Sequence, residues 1–253
     1  MEVLAITQAR VGSSRLPSKV LKTIGDKTLL QVHLERILHS KKIDKLIVAS
    51  TNEVGVEAIL QIAGDLNVDV YQGSLENVLD RFYQAAKKYQ PKWVVRLTSD
   101  CPLIDPQIID AVVEKSLQEN VDYCSNTLVT SFPDGMDVEV FKYTALELAW
   151  HKAKLNSEKE HVTPFIYNNC NLRNANLFVA SQLLSEKNYS AVRLTVDEQN
   201  DLEVIKQLVN ELGLNAGWQT YADYYLTHKE IYTINSAIER NEGYQKSLSK
   251  DKP

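Results

Sequence analysis

The chain has 253 residues, of which 44% are hydrophobic and 24% charged, and a formal net charge of −5. A chain of this length removes about 70% of its unfolded surface from water on folding, so it builds a substantial core without covalent staples. Mild acidity argues against a nucleic-acid partner, which needs a basic face, and no apolar run reaches the roughly 20 residues that span a bilayer.

The first half alternates β-rich runs with helical patterns, the signature of βαβ units and a mostly parallel sheet flanked by helices, a Rossmann-like α/β fold. Residues 3–7, 46–51, 68–71 and 93–98 read as strands. Between them Leu29, Leu30, His33, Leu34, Ile37 and Leu38 recur at helical spacing. So do Val56, Ile59, Leu60, Ala63 and Leu66, and then Leu75, Val78, Leu79, Phe82, Ala86 and Tyr89. A helix over 106–117 is expected to open with Asp105 as N-cap and proline at its first position. A strand over 138–142 leads to a helix near 144–153, and Ser157 with Glu160 resembles a capping box for the next helix. A late strand over 191–196 precedes a helix over 201–212. The pattern predicts one domain over residues 1–241 and a frayed tail over 242–253. Cys101, Cys124 and Cys170 form no C-x-x-C pair, which with the absence of a charged leader after Met1 points to a reducing cytoplasm.

Charge is unevenly placed along this frame. Residues 1–27 carry +3, from Arg10, Arg15, Lys19, Lys22 and Lys27 against Glu2 and Asp26, leaving −8 on the remainder. The basic excess sits on the loop leaving the first strand, Ala9-Arg10-Val11-Gly12-Ser13-Ser14-Arg15-Leu16-Pro17-Ser18-Lys19. Ligands of open α/β sheets bind outside the carboxyl ends of the strands, where this loop begins. Gly12 permits close backbone approach, the serines add donors, and the cations suit a triphosphate. The loop is neither a G-x-x-x-x-G-K-[ST] nor a G-x-G-x-x-G motif, which removes the main support for a P-loop kinase or a dinucleotide dehydrogenase.

The fourth strand ends at Asp100, on the same sheet edge, where one carboxylate suffices to hold Mg²⁺ whose shell is completed by phosphate and water. The late run Arg193-Leu194-Thr195-Val196-Asp197 repeats the design. Asp197 either faces Asp100 across a metal or caps the following helix. After Phe132-Pro133-Asp134-Gly135, period-two alternation puts Asp137 and Glu139 on one face, to read sugar hydroxyls or to meet water.

These residues resemble a known family. The stretch Ala9-Arg10-x-Gly12-Ser13-x-Arg15-Leu16-Pro17-x-Lys19 looks like the signature of the cytidylyltransferases that make CMP-activated acidic sugars, such as CMP-Kdo and CMP-acylneuraminate. It is closest to the SpsF-like branch, named for spore-coat polysaccharide synthesis. Counterparts of residues 77–82, Arg96 to Asp105, Asp134 to Phe141 and Glu160 to Pro164 extend the likeness over about residues 3–215. The resemblance implies a nucleotide-diphospho-sugar transferase fold and transfer of CMP from CTP to an acceptor hydroxyl with release of pyrophosphate. It implies that Ala9, Arg10, Gly12, Ser13, Arg15 and Lys19 bind the nucleotide, with Arg15 and Lys19 catalytic and Asp80 and Arg81 near it. It further implies Asp100 and Asp197 as metal ligands and a homodimer, while the face of Asp137 and Glu139 is the candidate for binding a sugar-acid acceptor. Ser18 stands where the branch often has glycine, and Val11 where methionine is common. A glycosyltransferase using a nucleotide sugar is the rival reading, but such enzymes commonly carry a D-x-D motif, which this chain lacks. A non-catalytic nucleotide-binding protein is the other. No general base is obvious; His161, expected in the first turn of a helix, is the nearest candidate.

Overall fold

The computed structural model describes residues 1–13 and 15–251. Ser14, counted above among the loop donors, and Lys252 and Pro253 of the tail lie outside the described residues. Nine strands are found among the described residues: β1 Val3–Gln8, β2 Thr23–Ile24, β3 Lys27–Thr28, β4 Lys45–Thr51, β5 Asp69–Gly73, β6 Trp93–Thr98, β7 Tyr123–Ser125, β8 Glu139–Lys142 and β9 Ala180–Gln182. The helices are α1 Leu29–Leu38, α2 Glu57–Asp65, α3 Val78–Lys87, α4 Pro106–Glu119, α5 Tyr143–Lys152 and α6 Asn156–His161. Then follow α7 Pro164–Asn168, α8 Gln199–Leu212, α9 Trp218–Thr227, α10 Lys229–Asn235 and α11 Glu242–Leu248.

Seven strands form the central sheet in the order β5-β4-β1-β6-β8-β7-β9, while β2 and β3 make a small hairpin. β1 pairs in parallel with both β4 and β6, and β8 is antiparallel to both of its neighbours. Strand order therefore turns outward in both directions from β1, and the crevice at the carboxyl ends of β1 and β6 is where such a sheet receives ligands. Alternation along the strands feeds two cores. Val3, Ala5, Trp93, Val95 and Leu97 pack with α1, α4 and α8, whereas Leu4, Ile6 and Val94 pack with α3 and α5 on the other face.

Local chemistry sets the helix starts. Thr28 Oγ1 accepts from Gln31 N at 3.1 Å to open α1. Asp105 accepts from Gln107 N at 2.8 Å to open α4, and its second oxygen accepts from Trp218 N at 2.9 Å, tying α4 to α9. His33 of α1 is fully buried beneath the sheet edge, between Thr7 Oγ1 and the Cys101 carbonyl, each at 2.8 Å.

Several expectations are corrected. The run over 191–196 is not a strand of the sheet; it makes one isolated bridge, Arg193 to Asp134, because the segment beside it bends away at Gly135. Its remaining backbone partner is the loop after β6, where Val196 N donates to Asp100 O at 2.7 Å. Ser157 does not cap α6, which begins at Asn156 after Leu155. Glu158 takes the Lys154 and Leu155 N–H groups at 2.8 and 3.0 Å instead. His161 is the last residue of α6 rather than in its first turn, and Leu75 precedes α3. The tail does not fray over its described part: Glu242–Leu248 is helical, and Ser247 is buried against α6.

Candidate active site

A cleft of about 1390 Å³ opens at the carboxyl ends of β1 and β6. Its first wall is the basic loop, with Ala9 anchored to β4 by a bond from its N–H to Ala49 O at 3.2 Å. A Cβ at Gly12 would meet only the end of the Glu53 side chain, which would have to turn aside. Ser18 sits at φ 53°, in the left-handed region that favours glycine, which accounts physically for the glycine common there in the similar branch. That turn leads into a short 3-10 helix, Lys19–Leu21, which carries the Lys19 side chain across the cleft floor.

Lys19 Nζ lies 2.9 Å from Asp100 Oδ2 and 2.8 Å from Asp197 Oδ1. Two carboxylates, one from the end of β6 and one from the end of the 191–196 segment, thus converge on a single cation. Burial alone would neutralise these groups, but mutual attraction outweighs it. Asp100 is held well below the usual carboxylate range, and Lys19 is raised. Lys19 and Asp100 are therefore both ionised at neutral pH. Among the described residues no third Asp, Glu, His or Cys joins the pair in a metal-binding cluster. Two hard oxygen donors converging on one point nonetheless fit Mg²⁺, which takes its other ligands from phosphate and water.

Asp197 is freed from capping by its neighbour. Glu198 is the N-cap of α8, and Asp201 accepts from the Asp197 and Glu198 N–H groups at 2.9 and 3.0 Å. The Asp197 side chain turns to Lys19, to Arg15 Nη2 at 3.0 Å and to Arg193 Nη2 at 3.2 Å. Arg193, buried and missed from the sequence, is the hub: Nε meets Asp201 and Nη1 meets Asp134, both at 2.8 Å. The signal available was an arginine inside an apolar run, Val192-Arg193-Leu194, where an unpaired charge would be prohibitive.

Arg15 also meets Glu242 of α11 at 3.1 Å. Arg10, at the mouth of the loop, is exposed and lines the cleft with Ser13. Arg81 lines it too, although almost fully buried, and donates to the Ser74 carbonyl at 2.6 Å. Burial and the nearby Arg10 charge lower it to about 10. Asp80 is not brought to the cleft: it accepts from Trp150 Nε1 of α5 at 2.8 Å and from Gln84 at 3.2 Å, because one helical position rotates it to the outer face of α3.

Asp137 and Glu139 both line the cleft, but only Glu139 lies in β8. Glu139 is buried, whereas 29% of the Asp137 side chain stays exposed. Asp137 accepts from Arg240 Nη2 at 2.5 Å, and burial raises its carboxyl against that partner. Glu139 accepts from Tyr123 Oη, Thr163 Oγ1 and Arg96. His161 lines the same end, its imidazole pushed down to about 4 by burial and by Arg96.

A Rossmann-like α/β sheet with a basic β1 loop and paired acids across the switch point defines a nucleotide-handling transferase. Sequence comparison makes the class specific. Residues 4–240 match the cytidylyltransferase family profile, and the chain belongs to that family. It is 38% identical to an uncharacterized protein of Methanocaldococcus jannaschii, over 97% of this chain and 98% of that one. It is 31% identical to the spore coat polysaccharide biosynthesis protein SpsF of Bacillus subtilis, over 84% and 88%. A cytidylyltransferase structure from Leptospira borgpetersenii superposes with a TM-score of 0.86 at 32% identity, covering 95% of this chain and all of that one.

Proposed function

We propose that this protein transfers CMP from CTP to a hydroxyl of a sugar acid or related acceptor, releasing pyrophosphate. The acceptor hydroxyl loses its proton to solvent as its oxygen forms a bond to the α-phosphorus, the bond from that phosphorus to the α,β-bridging oxygen breaks, and pyrophosphate leaves with the electron pair. The observation that carries this reading is the convergence of Asp100 and Asp197 on Lys19 beside the Arg10–Arg15 loop. Phosphoryl-type transfer is catalysed mainly by positioning and charge neutralisation, and this constellation supplies both.

Arg10, Arg15 and Lys19 hold the triphosphate, with Gly12 and Ser13 giving backbone and side-chain donors. Asp100 and Asp197 would hold Mg²⁺, which when bound neutralises charge on the phosphate oxygens. Lys19 and Arg15 then exchange carboxylate partners for phosphate oxygens, reaching them across the same floor. The relation to SpsF supports a place in surface-glycan synthesis. Incubating the protein with Mg²⁺, each of the four nucleoside triphosphates and a panel of sugar acids tests the reading. Pyrophosphate is expected with CTP alone and only when an acceptor is present; nucleotide-sugar consumption without pyrophosphate would establish a glycosyltransferase instead.

A further inference from the structure

The transfer reading leaves the cross-strand pair Arg96 and Glu139 without a role. Arg96 is the direct register partner of Glu139 across β6 and β8, at the carboxyl end of β6. It shares the sheet face of Val94, which is fully buried, so an aliphatic side chain would serve the core there. Its guanidinium is used sparingly. Nη1 donates to Glu139 Oε2, Nε is buried with no acceptor, and Nη2 meets none among the described residues. Arg96 nevertheless lines the cleft, with 14% of its side chain exposed.

Glu139 is in the opposite condition. Tyr123 Oη and Thr163 Oγ1 donate to its other oxygen at 2.7 and 2.6 Å, and 5% of the residue is exposed. It is clamped by three donors, which suits it to aim a neighbour rather than to read a sugar. Asp137 lines the same cleft as this pair and Asp100, and its carboxyl feels Glu139, Asp100 and Arg96 together. Sheet order β1-β6-β8 puts Glu139, and the guanidinium that reaches it, on the side of β6 away from β1 and its basic loop. His161 beside it is neutral at pH 7 and adds no charge there.

We propose that Arg96 is the anchor for the acceptor's carboxylate, its spare guanidinium donors taking the acid, and that Glu139 is a positioning residue that orients Arg96. The proposal rests on the transfer reading above. The test measures pyrophosphate release with CTP, Mg²⁺ and either 3-deoxy-manno-octulosonate or N-acetylneuraminate, each as free acid and as methyl ester. In the wild-type protein the KM of the productive acid is expected at least tenfold below that of its ester. Arg96→Met raises the KM for the acid at least tenfold, abolishes the preference over the ester, and leaves the KM for CTP within twofold. Arg96→Lys restores part of the preference, and Glu139→Gln raises the acid KM by a smaller factor.

An unchanged acid KM in Arg96→Met, or a parallel rise in the KM for CTP, overturns the anchor while leaving the transfer reading intact. Absence of pyrophosphate from wild-type protein with either acid overturns both. Should Arg96→Met fail to fold, the wild-type acid-to-ester ratio and its narrowing in Arg96→Lys decide, and a wild-type ratio near one contradicts the proposal.

Discussion

Lys19 neutralises two carboxylates with one ammonium, and removing it leaves Asp100 and Asp197 facing each other across the cleft floor. Lys19→Ala is expected to lower turnover about 100- to 1000-fold, the usual effect of losing one charge-directed donor. Steady-state pyrophosphate release checks this. Asp100→Asn should lose activity together with its dependence on Mg²⁺ concentration. His33 supplies a pH signature. Its Nδ1 donates to the Cys101 carbonyl and Nε2 accepts from Thr7, so the native ring is neutral, and burial lowers its pKa to about 4. Stability is full above the unfolded value near 6.5 and is lost as pH falls toward 4, by up to about 3 kcal/mol from this residue. Urea unfolding at stepped pH reads the loss, and His33→Gln should flatten it. At this scale the sequence was informative wherever a charge interrupts an apolar run. Val95-Arg96-Leu97-Thr98 and Val192-Arg193-Leu194-Thr195 each end two residues before an acid of the site. What each arginine binds was not legible, because Glu139 and Asp134 reach them only through tertiary pairing.

The elements that deliver these residues differ in how plainly they announce themselves. β1, β6 and α4 follow from local pattern, since continuous apolar runs and an Asp-Pro helix start need no distant partner. The 191–196 segment has the same pattern yet stays out of the sheet, because strand identity depends on what lies alongside. That crossing is fixed by Gly135, at φ 105°, where a Cβ would stand 2.6 Å from the Leu194 carbonyl carbon. Gly135→Ala should therefore cost about 1–3 kcal/mol or more and displace Asp197, seen as a lower melting temperature with a disproportionate loss of turnover. α11 was illegible for a related reason. Its sequence is polar, and it holds its place through Ser247, which donates to Glu160 at 2.7 Å and meets His161 at 3.0 Å, and through Glu242 on Arg15. On the proposed reading Glu242 competes with phosphate for Arg15, so Glu242→Gln is expected to lower the KM for CTP two- to fivefold at low ionic strength, with the difference shrinking as salt rises.

Across the whole molecule, charge is organised around one crevice. A +3 amino-terminal segment in an otherwise acidic chain meets the acids Asp100 and Asp197 at the point where strand order reverses. No described helix is long and apolar enough to cross a membrane. The fold follows from alternation of strand and helix signals over the first 120 residues, and the site from a loop whose residues lie close in sequence. The end of the cleft proposed for the acceptor depended on contacts among β6, β8, α6 and α11, which no single stretch reveals. ³¹P NMR of CTP, Mg²⁺ and a sugar acid with catalytic amounts of protein tests the central claim most directly. The account predicts that the triphosphate signals give way to one pyrophosphate and one phosphodiester signal in equal amounts, and that Asp100→Asn abolishes both. Orthophosphate with CDP, or unchanged CTP with every acid, would contradict it.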